Sequence, residues 1–118
     1  MHIIFGKDNA LELENKYTLL ELDLIQIGSD GPVLPAYCVI ENMSILDLPR
    51  VDSMKRLHEN LIAGYRNKDW KYCQDSLEHL QGFWGGEVDS FYADISSRVK
   101  HNLENPPSDE WTPVIRKT

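Results

Sequence analysis

The sequence predicts an α+β fold: a small antiparallel sheet in the N-terminal half, about three C-terminal helices packed against it, and an extended C-terminal arm. Three observations carry that expectation. Before Asp47-Leu48-Pro49-Arg50 the apolar residues come in strand-like runs. After it they recur every three or four residues, the spacing of a helix with one buried face. The helical pattern then stops at Asn105-Pro106-Pro107 and is followed by an aromatic residue, Trp111. A chain of 118 residues is one domain's worth. It is read as a single domain, with strands and a short helix over 1–48, helices over 49–104 and an arm over 105–118.

His2 to Phe5 is expected as a short strand ended by Gly6. Asn9 followed by Glu12 has the spacing of a helix cap, so a short helix is expected from there to about Asn15. Tyr17 to Ile27 is the strongest strand signal, with Leu20, Leu22 and Leu24 on one face and Glu21 and Asp23 on the other. Gly28-Ser29-Asp30-Gly31-Pro32 has the composition of a turn, so Val33 to Glu41 is expected to return as the partner strand of a hairpin. Pro35 lacks an N–H and belongs at an edge or a bulge, and Lys16 suggests a guarded strand edge. Two or three strands are not stable alone in water, so helices should cover one sheet face.

Asp47 is expected to cap the first long helix, with Pro49 in its first turn. Val51, Met54, Leu57, Leu61, Ile62 and Tyr65 trace its apolar stripe. Asn67-Lys68-Asp69 interrupts the pattern. Trp70, Cys73, Leu77 and Leu80 mark a second helix that stops at Gly82. Phe83-Trp84-Gly85-Gly86 is a connector, and Val88, Phe91, Tyr92, Ile95 and Val99 mark a third helix to about Leu103. Pro106-Pro107 forbids its continuation. Trp111, Val114 and Ile115 are left available to dock the arm.

Net charge is −7, unevenly shared: three basic against eight acidic residues over 1–50, and nine against eleven over 51–118. Neither half has the dense basic patch that phosphate neutralisation needs, and Lys55, Arg56, Arg66, Lys68 and Lys71 are interspersed with acids, which argues against nucleic acid as a partner. Cys38 and Cys73 lie in apolar company and suit two buried thiols in a reducing cytoplasm. No apolar run is long enough to cross a bilayer, and the first residues lack the pattern of a signal peptide.

Candidate chemistry is sparse. His58-Glu59 and Glu78-His79 lie on consecutive helices and could edge a pocket or face each other as an acid–base or metal pair. Because both histidines flank the apolar stripes, the preferred expectation is a solvated helix surface and no metal. Phe83-Trp84-Gly85-Gly86-Glu87 is glycine-rich at a helix start, but it lacks the Lys-Ser/Thr of a phosphate loop. Its acids, Glu87 and Asp89, suit the helix dipole and would repel an anion. Trp84 is either core, which is favoured, or an exposed anchor beside Phe83. No nucleophile elbow, activated cysteine or cofactor-binding signature is present, so no catalytic residue is nominated.

Two local resemblances and one broader one accompany these readings. Tyr65-Arg66-Asn67-Lys68-Asp69-Trp70-Lys71-Tyr72-Cys73, with Leu77 and Leu80, resembles the turn and second helix of a tetratricopeptide unit. Extended through Asn105-Pro106-Pro107-Ser108-Asp109-Glu110-Trp111-Thr112-Pro113-Val114, the segment resembles the helical tail of some bacterial nucleotide cyclases. It departs from that tail at Thr112-Pro113, and the catalytic domain is absent, so the likeness implies a packing module alone. Phe5-Gly6-Lys7, residues 16–23, residues 36–42 and Gly85-Gly86-Glu87-Val88-Asp89-Ser90-Phe91-Tyr92 are similar to small uncharacterised proteins of marine tailed phages, which implies a virion or accessory protein.

The expected function is a non-enzymatic interaction or assembly protein, a homo-oligomer or the binder of another protein. Its surface would combine the hairpin edge with Phe83, Trp84 and the arm around Trp111. The alternative is a small-molecule binder or enzyme with a pocket between sheet and helices, lined by Tyr37, Tyr72 and Tyr92 and edged by His58 or His79.

Overall fold

In the computed structural model, residues 2–40 and 48–117 are described. The elements run β1 (His2–Phe5), α1 (Lys7–Leu13), β2 (Thr18–Ile27), β3 (Val33–Ile40), α2 (Leu48–Arg66), α3 (Trp70–Leu80), α4 (Asp89–Glu104) and β4 (Val114–Lys117). The fold is α+β, as the change of periodicity predicts. The expected cap Asp47 and the hairpin end at Glu41 lie outside the described residues. The chain divides into two compact units: Met1–Met43 with Pro113–Thr118, and Ser44–Thr112.

The strand unit is a four-stranded sheet in the order β1-β3-β2-β4. β1 and β2 both pair antiparallel with β3, whereas β4 pairs parallel with β2 from Leu24↔Val114 to Ile27↔Lys117. The expected antiparallel sheet forms from the three N-terminal strands, and the returning C-terminal strand, expected only as an extended arm, adds a parallel pairing that makes the sheet mixed. The two hairpin strands lie inside the sheet, and the outermost strands are β1 and β4. Helix α1 starts three residues earlier than the Asn9 cap predicts, and Asn9 instead donates from Nδ2 to the Phe5 carbonyl at 2.8 Å. Ala10 and Leu13 of α1 pack over Leu19 and Val39, with Ile4 and Tyr37 beside them. Lys16 sits in the turn before β2, outside the strand edge it was expected to guard.

A register shift between Glu21 and Leu24 re-aims β2. Leu20 is opposite Cys38, and both side chains are buried on one sheet face. Past the bulge Leu24 is opposite Pro35, which shares a face with Tyr37 and Val39. Leu24 therefore leaves the face of Leu20, because an extra residue in a strand of period two inverts everything after it. Pro35 flanks this bulge, just beyond the end of β1, where a missing N–H costs least.

In the helical unit α2 packs on α3, and α3 on α4. The α2–α3 turn is closed by Asp69, whose carboxylate accepts from the Tyr72 backbone N–H at 3.3 Å. Lys68 takes the left-handed conformation there, with φ of 64°. Trp111 packs edge-on against Tyr65 and Trp70, with ring centroids 5.6 and 5.3 Å away. The Lys68 ammonium lies 5.8 Å from the centre of the Trp111 ring and donates to the Ser108 carbonyl at 3.4 Å. The connector from α3 to α4 turns through Gly85 and Gly86, both with positive φ. It is tied by Asp89, whose carboxylate accepts from the Gly82 N–H at 2.8 Å.

Candidate functional site

The bulge that inverts β2 also builds an exposed apolar surface. Beyond it Ile25 is opposite Leu34, and Ile27 follows on the same side. Phe5 is opposite Ala36, two positions from Leu34, and so joins that side from β1. Phe5, Ile25, Ile27, Pro32 and Leu34 line a groove of about 190 Å³. None of the five carries a polar or ionisable side chain. Ile27 is 64% exposed, Phe5 43% and Leu34 40%, and Ile3 extends the patch along β1 at 45%.

The turn at the end of the hairpin is held in one shape. Gln26 donates from Nε2 to the Gly31 carbonyl at 2.8 Å, and a Cβ at Gly31 would lie only 2.0 Å from the Ile27 carbonyl oxygen. Only glycine fits there, so the turn sets Pro32 beside Ile27 as one wall of the groove.

The aromatic anchors expected from the sequence are engaged inside the helical unit. Trp84 is 3% exposed and is a core residue, the favoured of its two readings. Its Nε1–H donates to the Tyr92 hydroxyl at 2.9 Å. Phe83 is half-buried, edge-on to Trp84 at 4.8 Å, with the Arg50 guanidinium 5.1 Å from its ring centre. Trp111 is half-buried against Tyr65 and Trp70. None of the three stands clear of the surface as an isolated aromatic anchor.

The two histidines part company. His58 is fully buried, which overturns the expectation of a solvated side chain, and its Nδ1 lies 2.9 Å from the same Tyr92 hydroxyl. Its ring also packs against those of Phe91 and Tyr92. His79 is on the exposed face of α3. They do not meet across a helical hairpin, and no group of three His, Cys, Asp or Glu side chains suited to a metal is formed among the described residues. Tyr92 is fully buried, whereas Tyr72 is half-buried close to Gly64 in the helical unit and Tyr37 half-buried in the strand unit.

Cys73 is buried on α3, and its thiol donates to the Leu61 carbonyl at 3.7 Å. Burial, with a smaller contribution from the negative charge of Asp69, pushes this thiol up from 9.0 to about 12. A thiol held protonated in this way is a packing group and a weak nucleophile. No described helix is long and apolar enough to cross a membrane. Compared with known protein families, characterised proteins and solved structures, the chain matches none.

Proposed function

We propose that this chain is a non-enzymatic interaction or assembly protein that works through the apolar side of its strand unit. The groove among Phe5, Ile25, Ile27, Pro32 and Leu34 carries that reading, because its rim is exposed and its lining holds no charge. Exposed apolar surface that is continuous over several residues is characteristic of contact with another macromolecule. This reading puts the contact on the sheet, where the lining is apolar, rather than on Phe83, Trp84 and Trp111, which pack within the helical unit. The partner is a second copy or another protein, and the place of action proposed is the cytoplasm, or a virion on the phage resemblance. A small-molecule site edged by His58 draws less support, since that ring is enclosed by Phe91 and Tyr92.

Native mass spectrometry and sedimentation of the purified chain test the proposal. A discrete oligomer is expected, lost in Phe5→Asp and retained in Phe83→Ser. An oligomer indifferent to Phe5→Asp sinks the reading. So does a monomer whose melting temperature rises with a small molecule that co-purifies at stoichiometric amount.

A further inference from the structure

We infer that the C-terminal strand β4 is a conformational strap for the groove. Paired with β2, it holds the far end of the hairpin against Phe5; released, it lets that end loosen about a hinge, and the groove is lost. The inference rests on the interaction reading above and adds the control of that same surface.

The hairpin is interrupted at one level on both of its strands. On β2 the register shifts between Glu21 and Leu24, and the β3 residue opposite Leu24 is Pro35, which has no N–H to give to the ladder. Support from β1 reaches this line and stops. Its register runs from His2↔Val39 to Phe5↔Ala36, and the Gly6 N–H then donates to the Pro35 carbonyl at 2.9 Å. Helix α1 packs on the near side too, with Ala10 and Leu13 over Leu19 and Val39. Before the line Leu19, Leu20, Cys38, Val39 and Ile40 are buried, whereas beyond it Ile27, Val33 and Leu34 are 64%, 46% and 40% exposed. A segment with little buried apolar contact is the first to open.

Past the hinge, β4 is the third strand that the sheet offers to residues 24–27 and 33–34, paired from Leu24↔Val114 to Ile27↔Lys117. Two strands alone are marginal in water, and a third is what stabilises such a ribbon. β4 grips it on both faces, because residues paired across a ladder point the same way. Val114 lies beside Leu24, Ile115 lies beside Ile25 on the groove side, and both are half-buried. The grip is also short: four residues in parallel pairing, which is slightly less stable per residue than antiparallel. The groove straddles the hinge, with Phe5 on the near side and Ile25, Ile27, Pro32 and Leu34 on the far side. Its shape therefore depends on where β4 holds the far end. The hydrogen bond from Gln26 to Gly31 closes the tip and fixes nothing across the hinge.

Hydrogen exchange read residue by residue on the full chain tests the strap. The variant carries Ile115→Pro and Arg116→Pro together, since successive N–H groups of a strand point opposite ways and one of the two must face β2. Protection at residues 24–27 and 33–34 should fall at least about tenfold, while that at residues 3–5 and 36–39 changes by less than about twofold. Protection at 24–27 that is absent from the native chain, or unchanged in the variant, overturns the strap. So does an equal loss in both sets, which would make β4 a support of the whole strand unit. The oligomer is then followed in the same variant by sedimentation, and it should be lost there as in Phe5→Asp. An oligomer that persists while residues 24–27 loosen shows that β4 does not control the contact, and overturns the inference. If Phe5→Asp dissolves the oligomer while residues 24–27 stay protected in the proline variant, the strap fails and the interaction reading survives. If residues 24–27 loosen but the oligomer ignores both variants, both fail.

Discussion

One hydroxyl oxygen joins three buried side chains of the helical unit. Tyr92 Oη accepts from Trp84 Nε1 and lies at the same 2.9 Å distance from His58 Nδ1, with all three side chains buried. Tyr92→Phe keeps the ring and removes that oxygen, so the indole N–H loses its acceptor and the imidazole a partner. A buried polar group left unmatched costs about 1–3 kcal/mol, so Tyr92→Phe, which strips the indole N–H of its acceptor, should destabilise by roughly 1–3 kcal/mol in urea unfolding. A loss below about 1 kcal/mol would mean that the network contributes little. Half of this was open to view in the sequence. Positions 51, 54, 58, 61 and 65 are spaced three, four, three and four apart, so His58 falls inside the α2 stripe. By polarity alone a histidine falls outside such a stripe, and its contacts with Phe91 and Tyr92 on α4 are what the sequence does not announce. Cys73 gives a second measurable residue. The unfolded thiol ionises near 9.0, whereas the native one holds its proton to about 12. The stabilisation from a neutral Cys73 is complete below pH 9 and is lost as pH rises towards 12, because the unfolded chain releases the proton first. The unfolding free energy of the native protein, from urea titrations, should fall across that window by up to about 1.4 kcal/mol per pH unit more steeply than that of Cys73→Ala. Parallel profiles would refute the assignment.

At the scale of elements, what terminates each one proved more informative than what fills it. The aromatic triangle of Tyr65, Trp70 and Trp111 ties the arm to the α2–α3 turn. Lys68 supports it from a left-handed residue that costs about 1 kcal/mol relative to glycine. Edge-to-face pairs contribute about 0.5–1.5 kcal/mol each beyond burial, so Trp111→Ala should cost about 2–3 kcal/mol. Lys68→Gly relieves the backbone and loses a cation–π contact of about 0.5–1 kcal/mol, so it should come out within about 0.5 kcal/mol of neutral. A clear gain in thermal unfolding for Lys68→Gly would show that Lys68 does not hold the arm. Trp111 as an anchor was legible from the Pro106-Pro107 stop and the aromatic beyond it. The parallel pairing of β4 was not, since four residues, Val114-Ile115-Arg116-Lys117, show too little alternation to announce a strand. The bulge was hidden for a different reason. Leu20, Leu22 and Leu24 alternate perfectly in sequence, and only the pairing with β3 reveals the extra residue that sends Leu24 to the other face.

At the scale of the whole molecule, charge and apolar surface oppose each other, and the balance can be read with salt. Each copy carries −7, and eight of its nineteen acids lie in the first fifty residues, the part that contains β1 and the groove. The Debye length shortens from about 30 Å at 0.01 M to about 10 Å at 0.1 M ionic strength. Repulsion between two such copies is therefore strong in dilute buffer and largely screened at moderate salt. The groove proposed as the contact is apolar, so salt has no attractive ion pair to weaken there. A homo-oligomer joined through that surface should tighten several-fold as sodium chloride is raised from about 0.01 to 0.1 M, with little further change to 0.3 M. An oligomer that loosens with salt would have to be held by opposite charges, which the groove lining does not offer, and the contact would then lie elsewhere on the chain. A basic protein partner would show that same loosening in a mixed complex, so the sign of the salt dependence separates a second copy from a partner chosen by its charge.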